Sequence, residues 1–222
     1  MYDWLAEIYK LVEITDSGET YLQLNDVGAS EKQIAEIKQK TGIDLPISYK
    51  QFLRRWDGGK LYSSTLLSSE QILEYAERCG FKSPNSDAGF HTSSDSYYKD
   101  KPAHHLVFRT FDFGSDVYCL DSAIETAKGE FIVCKYDAEF ELSDHLKMRY
   151  PSYEAMLMFD IYRDVVSEMY YVMEDYEETA TQEEYAELES MFSASEEKLK
   201  MTLLERGADL SGGIRPIWDK WR

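Results

Sequence analysis

The spacing of apolar residues changes along the chain, and each change marks a new kind of element. Tyr49, Phe52, Leu53 and Trp56 fall at i, i+3, i+4 and i+7, one wide stripe of an amphipathic helix with Trp56 expected in the core. Pro46 suits the first turn of that helix, where a missing N–H costs nothing. Gly58 and Gly59 follow the stripe, where a left-handed stop is expected. Just upstream, Ser30 and Gln33 make a capping box, Ile34 and Ile37 form an inner edge, and Gly42 closes that helix. Asp3 can cap a first helix bearing Leu5, Ile8, Tyr9 and Val12, and Thr20–Leu24 reads as a short strand. Ser69–Ala76, with Ile72, Leu73 and Tyr75, reads as another helix.

From His105 the pattern turns to strands. HLVFRTF, DVYCLDS and EFIVCKYD are rich in β-branched and aromatic residues and are separated by the DFGS and TAKGE turns. Their apolar density implies an inner antiparallel sheet covered on one face by helices. After Pro151-Ser152 the helical period returns at Leu157, Ile161, Val165, Met169, Val172 and Tyr176. Unbroken to Glu178, this helix would be about 40 Å long. Thr181 and Glu184 form a second capping box, and Tyr185, Leu188, Phe192, Leu199 and Leu203 extend a further helix. Ser193-Ala194-Ser195 offers a break in it, and Gly207 can end it. The two helices are expected to return antiparallel through Thr179-Ala180. The class is therefore α+β: an antiparallel-rich sheet flanked by N-terminal and C-terminal helices, with a C-terminal helical hairpin extension. Residues 82–104 are polar and aperiodic and read as a long surface loop.

Charge changes the functional picture more than the fold. The 222 residues include 42 acidic and 24 basic ones, a net charge of -18. Nucleic-acid binding rests on Lys and Arg neutralising phosphates, so this balance speaks against it. Anionic membrane surfaces are disfavoured for the same reason. An acidic surface would attract a basic protein partner, and the plainer reading of net charge alone is that acidity keeps the protein in solution. Cys79, Cys119 and Cys134 are odd in number and lack motif spacing, which fits a reducing compartment. MYDWLAEIYK carries acids where a signal peptide needs basic residues, so the expected location is cytoplasmic.

The acids are not spread evenly. From Asp164 to Glu197 there are 12 acidic residues and no Lys or Arg. Like charges at i, i+4, such as Glu174 with Glu178, destabilise a helix by a few tenths of a kcal/mol each. Tyr170, Tyr171, Tyr176 and Tyr185 are interleaved, and tyrosine is enriched at interfaces. Glu174, Asp175, Glu177, Glu178, Tyr171, Glu184 and Glu187 are therefore candidate contacts for a basic partner. The competing reading is a solvated helical face with its tyrosines packed on a neighbour. A second candidate surface combines Asp112, Asp116, Asp121, Asp137 and Glu139 at the strand turns with Tyr97 and Tyr98 of the polar loop, although turn chemistry explains most of these aspartates equally well.

Catalytic motifs are missing from the sequence. Asp57-Gly58-Gly59-Lys60 follows a helix, whose carbonyl end disfavours phosphate, so it is not a phosphate loop. Adjacent His104 and His105 are expected to project apart in a strand, and His91 and His145 are isolated, so no metal or cofactor is expected. Ser115 lacks the flanks of a nucleophile elbow.

Several landmarks follow one another along the chain: the capped helix from Ser30 to Gly42, Leu45-Pro46, Tyr49, Phe52-Leu53 and the Gly58-Gly59 stop. Phe113-Gly114-Ser115-Asp116, Tyr118 to Asp121, Gly129-Glu130, Tyr136-Asp137 and Tyr150 to Tyr153 come after them. Their order resembles the SUKH superfamily, the Smi/Knr-like family of the yeast cell-wall assembly regulator and many bacterial immunity proteins. The resemblance divides the chain into a helix and strand over 1–27, a SUKH-like domain over 28–160 and an acidic helical extension over 161–222. It implies a non-catalytic α+β fold that binds and neutralises a cognate toxin, often a nuclease or deaminase. Its fungal branch implies instead a regulatory scaffold in cell-wall or envelope assembly. A small hydrolase is a third reading, without a motif to support it.

Overall fold

The structure, a computed structural model, describes residues 2–5, 22–62, 64–78, 104–111, 116–137, 146–208 and 210. The chain divides into two compact units, one within residues 23–156 and the other drawing on 1–22 and 157–213. The first helix expected after Asp3 and the polar loop before His104 lie outside the described residues.

The first unit is built on a seven-stranded sheet whose strands follow one another in chain order. They are β1 (Leu22–Leu24), β2 (Gly59–Leu61), β3 (Ser64–Leu66), β4 (His105–Phe111), β5 (Asp116–Ala127), β6 (Glu130–Asp137) and β7 (Leu146–Tyr150). From β2 to β7 each neighbouring pair is antiparallel. Helices α1 (Glu31–Thr41) and α2 (Ile47–Trp56) are inserted between β1 and β2, and α3 (Ser69–Arg78) between β3 and β4.

Ser30 caps α1 as its sequence requires. Its hydroxyl accepts the Gln33 N–H, and the Gln33 side chain returns to the Ser30 N–H. Gly42 ends that helix in the left-handed region, φ 74°, with its N–H on the Lys38 carbonyl. In α2, Tyr49, Phe52 and Leu53 are buried, while Trp56 is only half-buried under the Arg55 guanidinium, 4.6 Å from its ring centre. The stripe leaves the core only at the last residue of the helix. The Tyr49 and Tyr153 rings lie 4.4 Å apart, tilted by 36°, and Phe108 of β4 lies 5.4 Å from Tyr49 and 5.2 Å from Tyr153. These rings join α2 to the sheet. Burying each is worth roughly 1.5–3 kcal/mol.

Two details differ from the sequence pattern. Pro46 lies just outside α2, extended at ψ 157°, and offers no side-chain cap. The helix start is satisfied from the β5–β6 turn instead: Gly129 O accepts the Ile47 N–H, and the Glu130 carboxylate accepts the Ser48 N–H and hydroxyl at 2.8 and 2.6 Å. At the other end the left-handed residue is Asp57, φ 44°, not a glycine. Gly58 and Gly59 lead into β2, where any Cβ would strike backbone: that of Leu66 and Ser68 at Gly58, and that of Gln23 and Leu24 at Gly59.

β4 and β6 match the expected runs, and β5 continues five residues past Ser122. β2 and β3 were not anticipated, because three residues are too few to show alternation. β7 was also missed, although Leu146, Met148 and Tyr150 alternate with Lys147 and Arg149. His105 to Arg109 are all buried, so β4 is covered on both faces and not on one alone. Cys119 and Cys134 sit opposite each other on β5 and β6, both buried.

The second unit holds most of α4 (Tyr153–Glu177) and all of α5 (Gln182–Glu205). α5 runs unbroken through Ser193–Ser195, where the Ser195 hydroxyl bonds the Met191 carbonyl of its own helix and so does not compete for the backbone elsewhere. Gly207, φ 83°, closes α5, and the Ala208 N–H reaches the Leu203 carbonyl. No helix among the described residues is long and apolar enough to cross a membrane.

Candidate protein-binding surface

The hairpin is made by its turn. The Thr179 and Ala180 N–H groups both reach the Tyr176 carbonyl, which ends α4. Thr181 then starts α5: its hydroxyl accepts the Glu184 N–H, and the Glu184 carboxylate accepts the Thr181 N–H at 2.9 Å. The helices return antiparallel, as Tyr162 of α4 donates its hydroxyl to Glu196 of α5 at 3.1 Å. Burial, followed by that bond and by the Glu196 charge, pushes the Tyr162 phenol up to about 12.

Between the two helices lies a cleft of ≈ 190 Å³. Val166, Met173 and Phe192 give it apolar walls, and Tyr170 and Tyr185 add aromatic ones. Glu174, Glu189 and Glu196 bring carboxylates to the same space. An apolar slot edged by carboxylates fits a lysine or arginine side chain, whose stem is apolar and whose head is cationic. Nothing in the last turn of α4 compensates its acids, since that turn has no basic residue. Negative charge at a helix C-terminus is unfavourable, so Glu174 and Glu177 sit where helix stability would not put them.

Among the residues singled out from sequence, Glu174 lines the cleft. Tyr171 is 61% exposed, and Glu177, Glu178 and Glu187 are exposed outside the cleft. Glu184 is exposed but its carboxylate is engaged in the cap, which lowers its pKa through the Thr181 hydroxyl and N–H. Asp175 lies on α4 and Asp116 on β5, with side chains outside the described residues, and Asp112, Tyr97 and Tyr98 lie outside them altogether. The exposure of Tyr170, Tyr171 and Tyr176, at 60%, 61% and 42%, goes against a face whose tyrosines pack on a neighbouring helix. Glu189, Glu196, Tyr170 and Tyr185 were not among the chosen residues. Only the helix pairing selects them, since Tyr170 and Glu174 share a face of α4 while Tyr185, Glu189 and Glu196 share one of α5.

Elsewhere, in the first unit, Asp121 does not belong to a polar turn edge. It is 7% exposed and faces two histidines, with His104 Nε2 at 3.5 Å from Oδ1 and His105 Nε2 at 3.4 Å from Oδ2. The two rings therefore converge where strand alternation had them diverge. His104 precedes β4 in a turn, so the alternation rule applies to His105 alone.

A chain-order antiparallel sheet carrying two capped helices between its first strands, joined to an acidic helical hairpin, defines an α+β protein of the kind the sequence landmarks suggested. The SMI1 / KNR4 family (SUKH-1) model matches residues 28–158, more than half of the chain, and the protein belongs to that family. The matched span ends two residues beyond the first unit. The chain is also similar to the uncharacterized protein YnaB of Bacillus subtilis (strain 168), 36% identical over 64 residues. That alignment covers 28% of this chain and 44% of YnaB, so the chain spans less than half the length of that relative.

Proposed function

We propose that this protein is an immunity protein: it binds a basic, nucleic-acid-degrading toxin and blocks its active-site cleft without chemistry of its own. The observation that carries the reading is the α4–α5 cleft, where Glu174, Glu189 and Glu196 surround an apolar slot in a region free of basic side chains from 164 to 197. A nuclease presents Lys and Arg to hold phosphates, and such a surface is complementary to this one. The charge would raise the association rate by about 10–1,000-fold at low salt. Tyr170, Tyr171 and Tyr176 would supply aromatic anchors beside the carboxylates. Membership of the SUKH-1 family supports a binding role over an enzymatic one.

The test is rescue. Cells expressing a lethal basic toxin domain encoded beside this gene should survive when the protein is co-expressed. Glu174→Lys with Glu189→Lys should abolish rescue while the purified variant keeps its circular dichroism spectrum. Full rescue by that variant would remove the hairpin from the interface, and failure of the native chain to rescue would remove the immunity reading.

A further inference from the structure

We propose that His104, His105 and Asp121 form a binding site for a zinc-class divalent metal ion, a site unrelated to the hairpin. Each of the three offers one ligand atom, and these atoms all lie within 4.8 Å of one another. His105 and Asp121 already interact without an ion, and their spacing also suits coordination. A charge-assisted N–H···O bond is about 2.7–2.9 Å long. The two imidazole–carboxylate distances here are 3.5 and 3.4 Å. Zinc–nitrogen and zinc–oxygen bonds of about 2.0–2.2 Å at tetrahedral angles place neighbouring ligand atoms about 3.3–3.5 Å apart. Each Nε2–oxygen separation is close to such an edge, the His104 one ending on Oδ1 and the His105 one on Oδ2, and the ligand atoms, within 4.8 Å of one another, would draw closer around an ion.

The groups are held before any ion arrives. His105 pairs directly with Asp121 in the β4–β5 register. The Ala123 N–H donates to Asp121 Oδ1 at 3.0 Å and fixes the carboxylate. The His104 carbonyl accepts both the N–H and the hydroxyl of Ser122, each at 2.9 Å, which anchors the turn. The imidazoles meet edge to face, with planes at 88° and centres 4.8 Å apart. Such supports around a ligand set orient it and strengthen binding.

Burial gives the site a direction. His105 and Asp121 have side chains 4% and 10% exposed, while that of His104 is 44% exposed. An ion would enter past His104, and water would complete its shell on that side. Two imidazoles and one carboxylate favour zinc, nickel or copper over magnesium or calcium, which prefer all-oxygen shells. The ion would clamp the turn before β4 to the middle of β5.

The experiment uses the full chain, stripped with chelator and titrated with Zn2+ by calorimetry, and with Co2+ as an optical probe. One ion per chain should bind, Zn2+ should displace Co2+, and a hundredfold excess of Mg2+ should not compete. Thermal midpoints should rise with Zn2+ concentration. His105→Ala empties a buried position and can unfold the chain, so His104→Ala at the exposed edge is the decisive variant. It should keep the native midpoint in chelator yet bind Zn2+ at least about tenfold more weakly. His91→Ala with His145→Ala should bind as the native chain does. Unchanged affinity in His104→Ala, loss in the His91/His145 variant, or no stoichiometric uptake by the native chain would each overturn the site.

Discussion

Asp57 grips Ser69 with both carboxylate oxygens: Oδ1 accepts the backbone N–H at 2.6 Å and Oδ2 the hydroxyl at 3.0 Å. Asp57 itself sits in the left-handed conformation that ends α2, and its carbonyl accepts the Asn25 side chain at 2.6 Å. One residue thus terminates α2, satisfies an N–H at the start of α3 and ties both to the segment after β1. Replacing it with alanine removes the cap, worth about 0.5–2 kcal/mol, and keeps the β-carbon while losing the short polar side chain that lets Asp tolerate the left-handed region. Asp57→Ala should therefore cost about 1–2 kcal/mol in urea unfolding. Asp57→Asn, which tolerates this conformation and keeps one acceptor, should lose clearly less. Equal losses in the two variants would mean that the backbone conformation contributes nothing.

Glycines at two positions in this unit predict opposite outcomes. A Cβ on Gly28 would overlap the Arg54 carbonyl, whereas a Cβ on Gly42 meets nothing within 4 Å. Gly28→Ala must push α2 away from the segment that donates the Ala29 N–H to Leu53 O at 2.7 Å. Gly42→Ala has only its left-handed backbone, φ 74°, to oppose it, at about 1–2 kcal/mol. The expected order of chemical-denaturation midpoints is native, then Gly42→Ala, then Gly28→Ala well below.

Glu130 caps α2 from 82 residues away, through Ser48. Glu130→Ala should lower stability by about 1–2 kcal/mol, because Pro46 provides no replacement. Glu130→Gln keeps an acceptor and should recover part of the loss, as unfolding curves would show.

That contact also marks what could be read in advance. Ser30 with Gln33 and Thr181 with Glu184 are caps at i, i+3, so two letters of sequence disclose them. Glu130 with Ser48 and Asp57 with Ser69 are the same chemistry closed by the sheet, and no local pattern contains them. β4 and β6 are long enough for their residue types to declare them, whereas β2 and β3 owe their existence to the neighbours they pair with. The candidate surfaces divide likewise. The acid block is visible as composition, but the choice of Glu174, Glu189 and Glu196 needs the antiparallel helix register. The histidine cluster was hidden because Asp121 lies 16 residues from His105 and only the β4–β5 pairing brings them together.

Tyr162 gives the hairpin a pH signature. Its pKa, raised from 10.0 to about 12, means that the folded chain keeps the phenolic proton after an unfolded chain has lost it. The stabilisation is therefore complete below pH 10 and disappears as pH rises through about 12. Ultraviolet titration should show Tyr162 ionising late, identified by loss of that component in Tyr162→Phe. Glu196→Gln removes the carboxylate charge and should bring the titration back toward 10.

The proposed binding role sets the acids of the hairpin against its stability, and that opposition can be measured. Glu174 in the last turn of α4 and Glu178 just past it are i, i+4 like charges, and Glu183 and Glu187 repeat the pattern at the start of α5. Raising NaCl screens such repulsion, so the thermal midpoint of the hairpin should rise between about 0.01 and 1 M salt, as the Debye length falls from about 30 to 3 Å. Glu178→Lys turns one repulsive pair into an attractive one and places a cation near a helix C-terminus, so it should stabilise by about 0.5–1 kcal/mol. If the block exists to hold a basic protein, the same substitution must weaken capture and flatten its salt dependence. A variant that is more stable and still binds as tightly would show that the charge serves neither role at that position. A variant that gains stability while losing affinity would show stability traded for recognition.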